Sequence, residues 1–538
     1  MTEILNIENK SYSPIFDKFN IKYESSIHKY TRCIDYNNYE YEDLSGTINK
    51  CFIKYIPLID YVKLLTGKYK KYDICKLPDK NKKPENVYEE YINSVNNYSY
   101  VDSFFYLLSS KLKEYGFLHS LDVYDSNIVL MENFEIDIAD DYEYICESKF
   151  FSENVGTIFY FKNDKIQNLI SRKKTPINIT EDKIELSYDT IDLDYEIDNI
   201  LLQDTVLDID KPIDNNELEI LDNCDIVYQD TNQDSDKESD EDSDEDSDED
   251  SDEDSDEDSD EDSDEDSDEG SDEDNSSDGS ISIEDDIEEL KIVINKLPCQ
   301  KIALEKCNNT LDTLFENDIK VEELTSAIFQ IIIILDVYQK MFDLTHNDLH
   351  TNNVMFIETS EEFLFYKVNN KYYKVPTYGR IYKIIDFGRS IYKYNGERLC
   401  SDSFSSNGTA YGQYNCEPFY NQNKHKIDPN PSFDLCRLAC SIFDFIVDDY
   451  KEVNIYRNIP VYNMIIQWLY DDENKNILYK ENGRERYPNF KLYKMIAKTV
   501  HNHLPCDQYK NECFDQYRVD NLNECLDLDE LFKKKVHL

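Results

Sequence analysis

Asp348 and Asn353 stand in Thr345-His346-Asn347-Asp348-Leu349-His350-Thr351-Asn352-Asn353, and Asp386 follows in Ile384-Ile385-Asp386-Phe387-Gly388. These are the groups that phosphoryl transfer needs. A carboxylate beside the acceptor hydroxyl takes its proton. An amide oxygen and a second carboxylate hold the divalent cations that neutralise the phosphate oxygens. Asp348 suits the first task, and Asn353 with Asp386 the second. The tripeptide Asp386-Phe387-Gly388 alone arises by chance in many chains. The two segments in this order, each preceded by apolar strand-like residues, carry the reading.

Such groups act only where rigid elements hold them. Before them, residues 321–342 have the apolar continuity of a long buried helix, with a helix-like start at Thr310-Leu311-Asp312-Thr313-Leu314-Phe315. Upstream of that, Ile292-Val293-Ile294 and Lys301-Ile302-Ala303-Leu304 read as two strands. Nearer the N-terminus, Lys50-Cys51-Phe52-Ile53-Lys54-Tyr55-Ile56 has the β-branched and aromatic content of a strand. Residues 86–113 read as helical, because Val101, Phe104, Phe105, Leu108 and Leu112 recur at three- and four-residue spacing. Residues 118–130 resemble one or two strands. Gly156-Thr157-Ile158-Phe159-Tyr160-Phe161 alternates within an increasingly acidic stretch.

The 538 residues carry a net charge of −57. About half of it lies in one tract, residues 234–278, built on Ser-Asp-Glu-Asp and holding about 30 carboxylates. With no apolar residue to bury, the tract is expected to be disordered. In the clean repeat from Ser239 to Asp266 each Ser has an acid three residues on, the pattern that acidophilic kinases read, so Ser243 and its equivalents are candidate phosphorylation sites. The acidic balance elsewhere argues against direct nucleic-acid binding, which needs Lys and Arg surfaces. The N-terminus lacks a basic and apolar leader pattern. The most apolar run, from Ala327 to Leu335, falls short of the ~20 residues of a membrane span. The 14 cysteines include no C-x-x-C and read as reduced thiols. His501, His503, Cys506 and Cys513 are ligand-type residues, but they match no standard zinc pattern.

The order of strand, short link, helix, long buried helix and catalytic-type loop resembles the protein-kinase-like superfamily. The wording around Asp348 is most similar to the divergent serine/threonine kinases of giant nucleocytoplasmic DNA viruses, the mimivirus type. The resemblance implies an α+β fold of two lobes, a β-rich lobe then a helical lobe, with a large disordered acidic insertion. It places an N-terminal extension at 1–44, the first lobe at 45–304 with its insertion at about 134–290, and the helical lobe at 305–538. It implies an ATP- and Mg2+-dependent protein serine/threonine kinase acting on protein substrates, with basic proteins drawn to the acidic tract. It implies a place in host cytoplasm or a viral factory, with packaging in the virion left open.

Residue by residue, the resemblance makes Asp348 the catalytic base, Asn353 and Asp386 the metal ligands, and Phe387 the ring beneath the regulatory helix. Asp434 becomes the buried anchor of the catalytic loop. Lys54, Glu305 and Cys307 become the cofactor-binding positions, Lys54 through Phe52-Ile53-Lys54, which has the pattern of a phosphate-binding lysine strand. Its acidic partner stays open between Glu89, Glu90 and Asp102.

The departures are specific. Asn347 stands where the family has an Arg that meets a phosphorylated loop, so loop phosphorylation is not expected to be the switch. His350 replaces a Lys. No glycine-rich phosphate loop precedes Lys54, so phosphate cover must come from another backbone arrangement. A hairpin-like stretch is inserted at about 363–375, and Glu417-Pro418 is the nearest match to the family's A-P-E. Two other functions share these features. One is a choline- or aminoglycoside-type small-molecule kinase, whose loop often reads like His346-Asn347-Asp348-Leu349-His350. The other is an inactive scaffold that binds basic proteins.

Overall fold

Strand β3 (Ile48–Pro57) alternates buried and half-buried residues, as a strand with one covered face must. It lies inside an antiparallel sheet ordered β1-β2-β3-β6-β4, with β1 at Ile27–Cys33, β2 at Asn38–Asp43, β4 at Val123–Asp137 and β6 at Lys291–Leu304. A short β5 (Phe159–Phe161) also pairs with β6. The computed structural model describes residues 12–139, 141–163, 290–447 and 449–537. The acidic tract 234–278, Ser243 included, lies outside them, as does most of the expected insertion.

The sheet departs from the sequence reading in three places. β1 and β2 fall within the segment expected as an N-terminal extension, and they form its edge. β4 is one continuous strand of 15 residues. β6 is likewise one strand through Pro298, where two were expected. Register pairs connect Val123 with Leu304 at one end of the β4–β6 ladder and Asp137 with Lys291 at the other. The expected insertion therefore contributes residues 134–137 and 159–161 to the sheet. Between them it forms the short helices Tyr142–Cys146 and Lys149–Asn154.

The helical reading of 86–113 resolves into two helices, Val87–Asn93 and Tyr98–Ser110. Asn97 causes the break. Its side-chain oxygen accepts from Ser99 N at 3.0 Å, an N-cap, while its amide donates to Leu58 O at 2.8 Å. Every residue from Ser99 to Ser109 is buried, so this helix is covered on all sides. Phe105 packs against Phe387 with centroids 4.4 Å apart, and against Tyr392 at 5.0 Å. Truncating such a ring to Ala costs about 3–5 kcal/mol.

The remainder mixes helices with short strands. Helix Leu311–Glu316 precedes helix Val321–Phe342, in which every residue from Leu324 to Tyr338 is buried. Its buried polar side chains are accordingly paired. Gln330 Oε1 accepts from Tyr382 N at 3.1 Å, and Asp336 takes Lys340 and the Tyr509 hydroxyl. Then β8 (Val354–Glu358) pairs with β11 (Arg380–Ile384) and with the two-residue β7 (Asn309–Thr310). The hairpin expected at 363–375 is β9 (Phe363–Val368) with β10 (Lys371–Pro376). A ribbon of β12 (Ile391–Tyr394) and β13 (Glu397–Cys400) follows, then helices Phe433–Ile446, Pro460–Gln467 and Phe490–Thr499. The fold is thus mixed α+β around a curled antiparallel sheet.

Candidate active site

The β8–β11 ladder closes at Val354 opposite Ile384, and Ile385 N donates to Asn353 O at 3.0 Å. This pairing sets Asn353 and Asp386 side by side, although the β9–β10 hairpin separates the two strands along the chain. Asp386 has φ +66° and Asn347 φ +67°, left-handed conformations that cost a non-glycine residue energy. Each is held by hydrogen bonds. Asp386 N donates to the Tyr106 hydroxyl at 2.8 Å, and Phe387 N to Asp102 Oδ1 at 2.6 Å.

Lys54 resolves the open question of its partner. Its Nζ lies 2.7 Å from Asp102 Oδ2 and 2.9 Å from Asp386 Oδ1. The second contact spans 332 residues of sequence. Glu89 is instead bound to Lys76 and to the amide of Asn86, and Glu90 is exposed. Burial works to lower the Lys54 ammonium, and the carboxylates of Asp102 and Asp386 override it, leaving it well above its ordinary value. The same ammonium holds Asp386 down at about 2, against burial. For Asp102, wholly buried, burial pushes the carboxyl up and Lys54 opposes it. An ammonium has three donors. Two are used in the bridge, and one remains for an incoming oxygen.

Asp434 grips the loop before Asp348. Its Oδ2 accepts from His346 N and its Oδ1 from Asn347 N, both at 2.9 Å. Burial pushes this carboxyl up, with His346 and the two amides opposing. Asn347 is itself fully buried. Its amide donates to Arg389 O at 3.0 Å, and its oxygen accepts from the Tyr414 hydroxyl at 2.8 Å. Phe387 packs on Tyr106 as well as Phe105, at 5.1 Å, so its ring lies against the Tyr98–Ser110 helix as expected.

Asn353 Nδ2 donates to Asp348 O at 2.9 Å and meets His350 Nε2 at 3.0 Å. Burial lowers His350, so the ring is neutral at pH 7 and Nε2 accepts. With the Asn353 nitrogen committed, its oxygen is left to act as a ligand. Asp386 is ionised and half exposed, with Oδ1 on Lys54. An amide oxygen and a carboxylate oxygen are hard donors that fit Mg2+.

Glu305 and Cys307 leave the sheet where Leu304 pairs with Phe52, two residues along β3 from Lys54. The Glu305 side chain, expected at the cofactor, is committed elsewhere. It lies 3.1 Å from Lys113 and 3.2 Å from the fully buried Lys383, whose ammonium also donates to Leu118 O and Ser120 O. Its amide donates to Asp122 O, so only its carbonyl is left. Burial pushes the Cys307 thiol up to about 12.

The β1–β2 turn supplies no open cradle of amides. Asp35 Oδ1 accepts from Asn37 N at 3.0 Å and Asn38 N at 2.8 Å. His501, His503 and Cys513 are engaged separately, with Asp472, Tyr470 O and Met464 respectively. Among the described residues no three His, Cys, Asp or Glu form a metal-holding group. No described helix is long and apolar enough to cross a membrane.

Several contributors were invisible to spacing. Tyr106 supports Asp386, Tyr414 supports Asn347, and Asp312 accepts from Thr351 Oγ1 at 2.5 Å. Tyr493 donates to Asp348 Oδ1 at 2.9 Å, and Arg389 stands 3.6 Å from Oδ2. Asp402 accepts from Tyr98 N at 3.0 Å and its amide donates to Asn96 O at 2.8 Å, tying the loop after β13 to the start of the Tyr98–Ser110 helix. No family model matches the chain, and no curated protein matches it.

Proposed function

We propose that this protein is an ATP-dependent kinase of two-lobed, protein-kinase-like architecture that transfers the γ-phosphate to serine or threonine hydroxyls of proteins. The observation that carries this reading is the bridge of Lys54 to Asp102 and Asp386. A strand lysine, a buried helix carboxylate and the carboxylate of Asp386-Phe387-Gly388 come from three distant segments, and chance does not make them one ion cluster.

The geometry supports the following roles. Lys54 offers its third donor to the phosphate oxygens, and Asp102 orients it. Asp386 and Asn353 would hold Mg2+, which would supply positive charge to offset that of the phosphate. Asp348 takes the proton of the acceptor hydroxyl as oxygen attacks phosphorus. Asp434 fixes the backbone of that loop, and Asn347 joins it to Tyr414 by neutral hydrogen bonds. Because these contacts need no phosphate, the site is complete without phosphorylation of the loop between Gly388 and Glu417.

The test is phosphate transfer from radiolabelled ATP to a mixed set of protein, peptide and amino-alcohol acceptors, using wild type and Asp386→Asn. Wild-type labelling of proteins or hydroxyl peptides, lost in the variant, is the expected result. Labelling of amino alcohols alone would make it a small-molecule kinase. A wild type that binds no nucleotide in magnesium would leave the scaffold role.

A further inference from the structure

The hydroxyl of Tyr493 already sits where an acceptor would. It donates to Asp348 Oδ1 at 2.9 Å, within the reach a general base needs of the proton it removes. The contact spans 145 residues of sequence. Helix Phe490–Thr499 is fastened to the body, since Asn430 Nδ2 donates to Ile496 O at 3.2 Å and Val500 O at 2.6 Å. The ring is packed by Phe490 at 5.3 Å and Phe433 at 6.0 Å. The fold therefore aims this phenol at Asp348.

Its surroundings suit a phosphate ester. Arg437 Nε donates to the phenolic oxygen at 2.9 Å, with its guanidinium 5.1 Å from the ring centroid. The Arg389 guanidinium lies 5.7 Å from the same ring. One guanidinium on the oxygen and a second near the ring supply the charge-assisted donors that a phosphorylated side chain recruits. Burial, followed by the Asp348 charge, keeps the phenol above its ordinary pKa, so its proton has to be taken by a base.

We infer that Tyr493 is an internal phosphate acceptor, modified by the site of its own chain. The inference rests on the kinase reading above. The phenolic oxygen forms a bond to the γ-phosphorus of a nucleoside triphosphate as the bond from that phosphorus to the β-phosphate oxygen breaks. The phenolic proton passes to Asp348, and the nucleoside diphosphate leaves. The ester pairs with Arg437 and Arg389 and fills the acceptor position, so each chain is modified once.

The full chain should be incubated with magnesium and ATP over a hundredfold range of protein concentration, with a serine peptide present. Phosphate is then located by peptide mass spectrometry. The expected result is phosphate on Tyr493, appearing with a rate constant independent of protein concentration. It should fall at least roughly a hundredfold in Asp348→Asn and vanish in Tyr493→Phe. Peptide labelling with Tyr493 bare would overturn the inference and leave the kinase reading standing. Tyr493 labelling whose rate constant rises with concentration would overturn it too, because the acceptor would then be another chain. Labelling of neither would overturn the kinase reading, and this inference with it.

Discussion

The helix Tyr98–Ser110 is fastened by two buried aspartates within its first two turns; burial raises both carboxyls, and what differs is the company each keeps. Asp102, on the helix, belongs to the cluster in which Lys54 meets two carboxylates, and Asp386 there is held at about 2. Asp402, from the loop after β13, caps the helix start through Tyr98 N, and burial pushes it up to about 7. The residue type is the same, and each of the two accepts a backbone amide. The difference is a cation within hydrogen-bond distance. An amide dipole does not offset the desolvation of a carboxylate as an ammonium does. In the first region Lys54 and Asp386 hold each other charged, and in the second Asp402, without such a cation, exchanges its proton near neutrality.

The comparison breaks most severely where charge does the chemistry. Asp386→Asn and Asp348→Asn should each lower transfer by on the order of 10²–10⁴ while circular dichroism stays near wild type. Asp386→Asn should also weaken magnesium-dependent ATP binding by calorimetry, and Asp348→Asn should not. If either variant keeps most of its transfer, that residue is neither the metal ligand nor the base of the reaction.

Lys54→Met leaves Asp102 buried without its cation and should cost about 3 kcal/mol of stability in urea unfolding. Adding Asp102→Asn should recover part of that loss. If the double variant is no more stable than Lys54→Met, the three charges do not act as one coupled unit. A smaller loss, about 2 kcal/mol, is expected for Asp434→Ala, which strands the His346 and Asn347 amides.

Tyr414→Phe removes one neutral hydrogen bond to Asn347 and should cost about 1 kcal/mol. Treatment with a phosphatase specific for phosphoserine and phosphothreonine should leave transfer to a peptide within about twofold, far less than the tenfold that 1.4 kcal/mol of barrier represents. Greater sensitivity would mean that a phosphate on Ser401, Ser403, Ser405, Ser406 or Thr409 is read, with Arg389 and Arg398 the first candidates.

The remaining effect sharpens the comparison through its sign. Asp402 rises from 3.8 to about 7 on folding, so the native state binds more protons in that window. Its contribution to stability therefore falls as pH rises from about 4 to 7 and stays low above that. Asp402→Asn should gain melting temperature relative to wild type across that interval. Asp386, depressed to about 2, has the opposite sign. Its contribution is present above its unfolded value and is lost as pH falls through 2. A wild-type minus Asp402→Asn difference that is flat from pH 4 to 7 would contradict the assignment.

Much of this was legible in residue order. Helix Val321–Phe342 follows from unbroken apolar content, and β3 from its β-branched run. The order around Asp348, Asn353 and Asp386 suggested groups of the kind phosphoryl transfer uses, because metal ligation and proton transfer demand particular side chains at short spacing. The hairpin of β9 and β10 was visible as an inserted stretch between Asn353 and Asp386.

The tertiary structure decided what distance along the chain conceals. It chose Asp102 over Glu89 and Glu90, because only a residue facing β3 from the buried helix reaches Lys54. It made β4 and β6 single long partners and drew β1 and β2 into the sheet, since pairing of backbone groups is set by the neighbouring strand and not by local pattern. It spent the Glu305 side chain on Lys383, a buried cation that needed a counter-charge. It brought Tyr493 to Asp348 across 145 residues. Short-range spacing records what a local segment must carry for its chemistry. Which distant side chain supports it depends on packing, and packing leaves no periodicity in sequence to read.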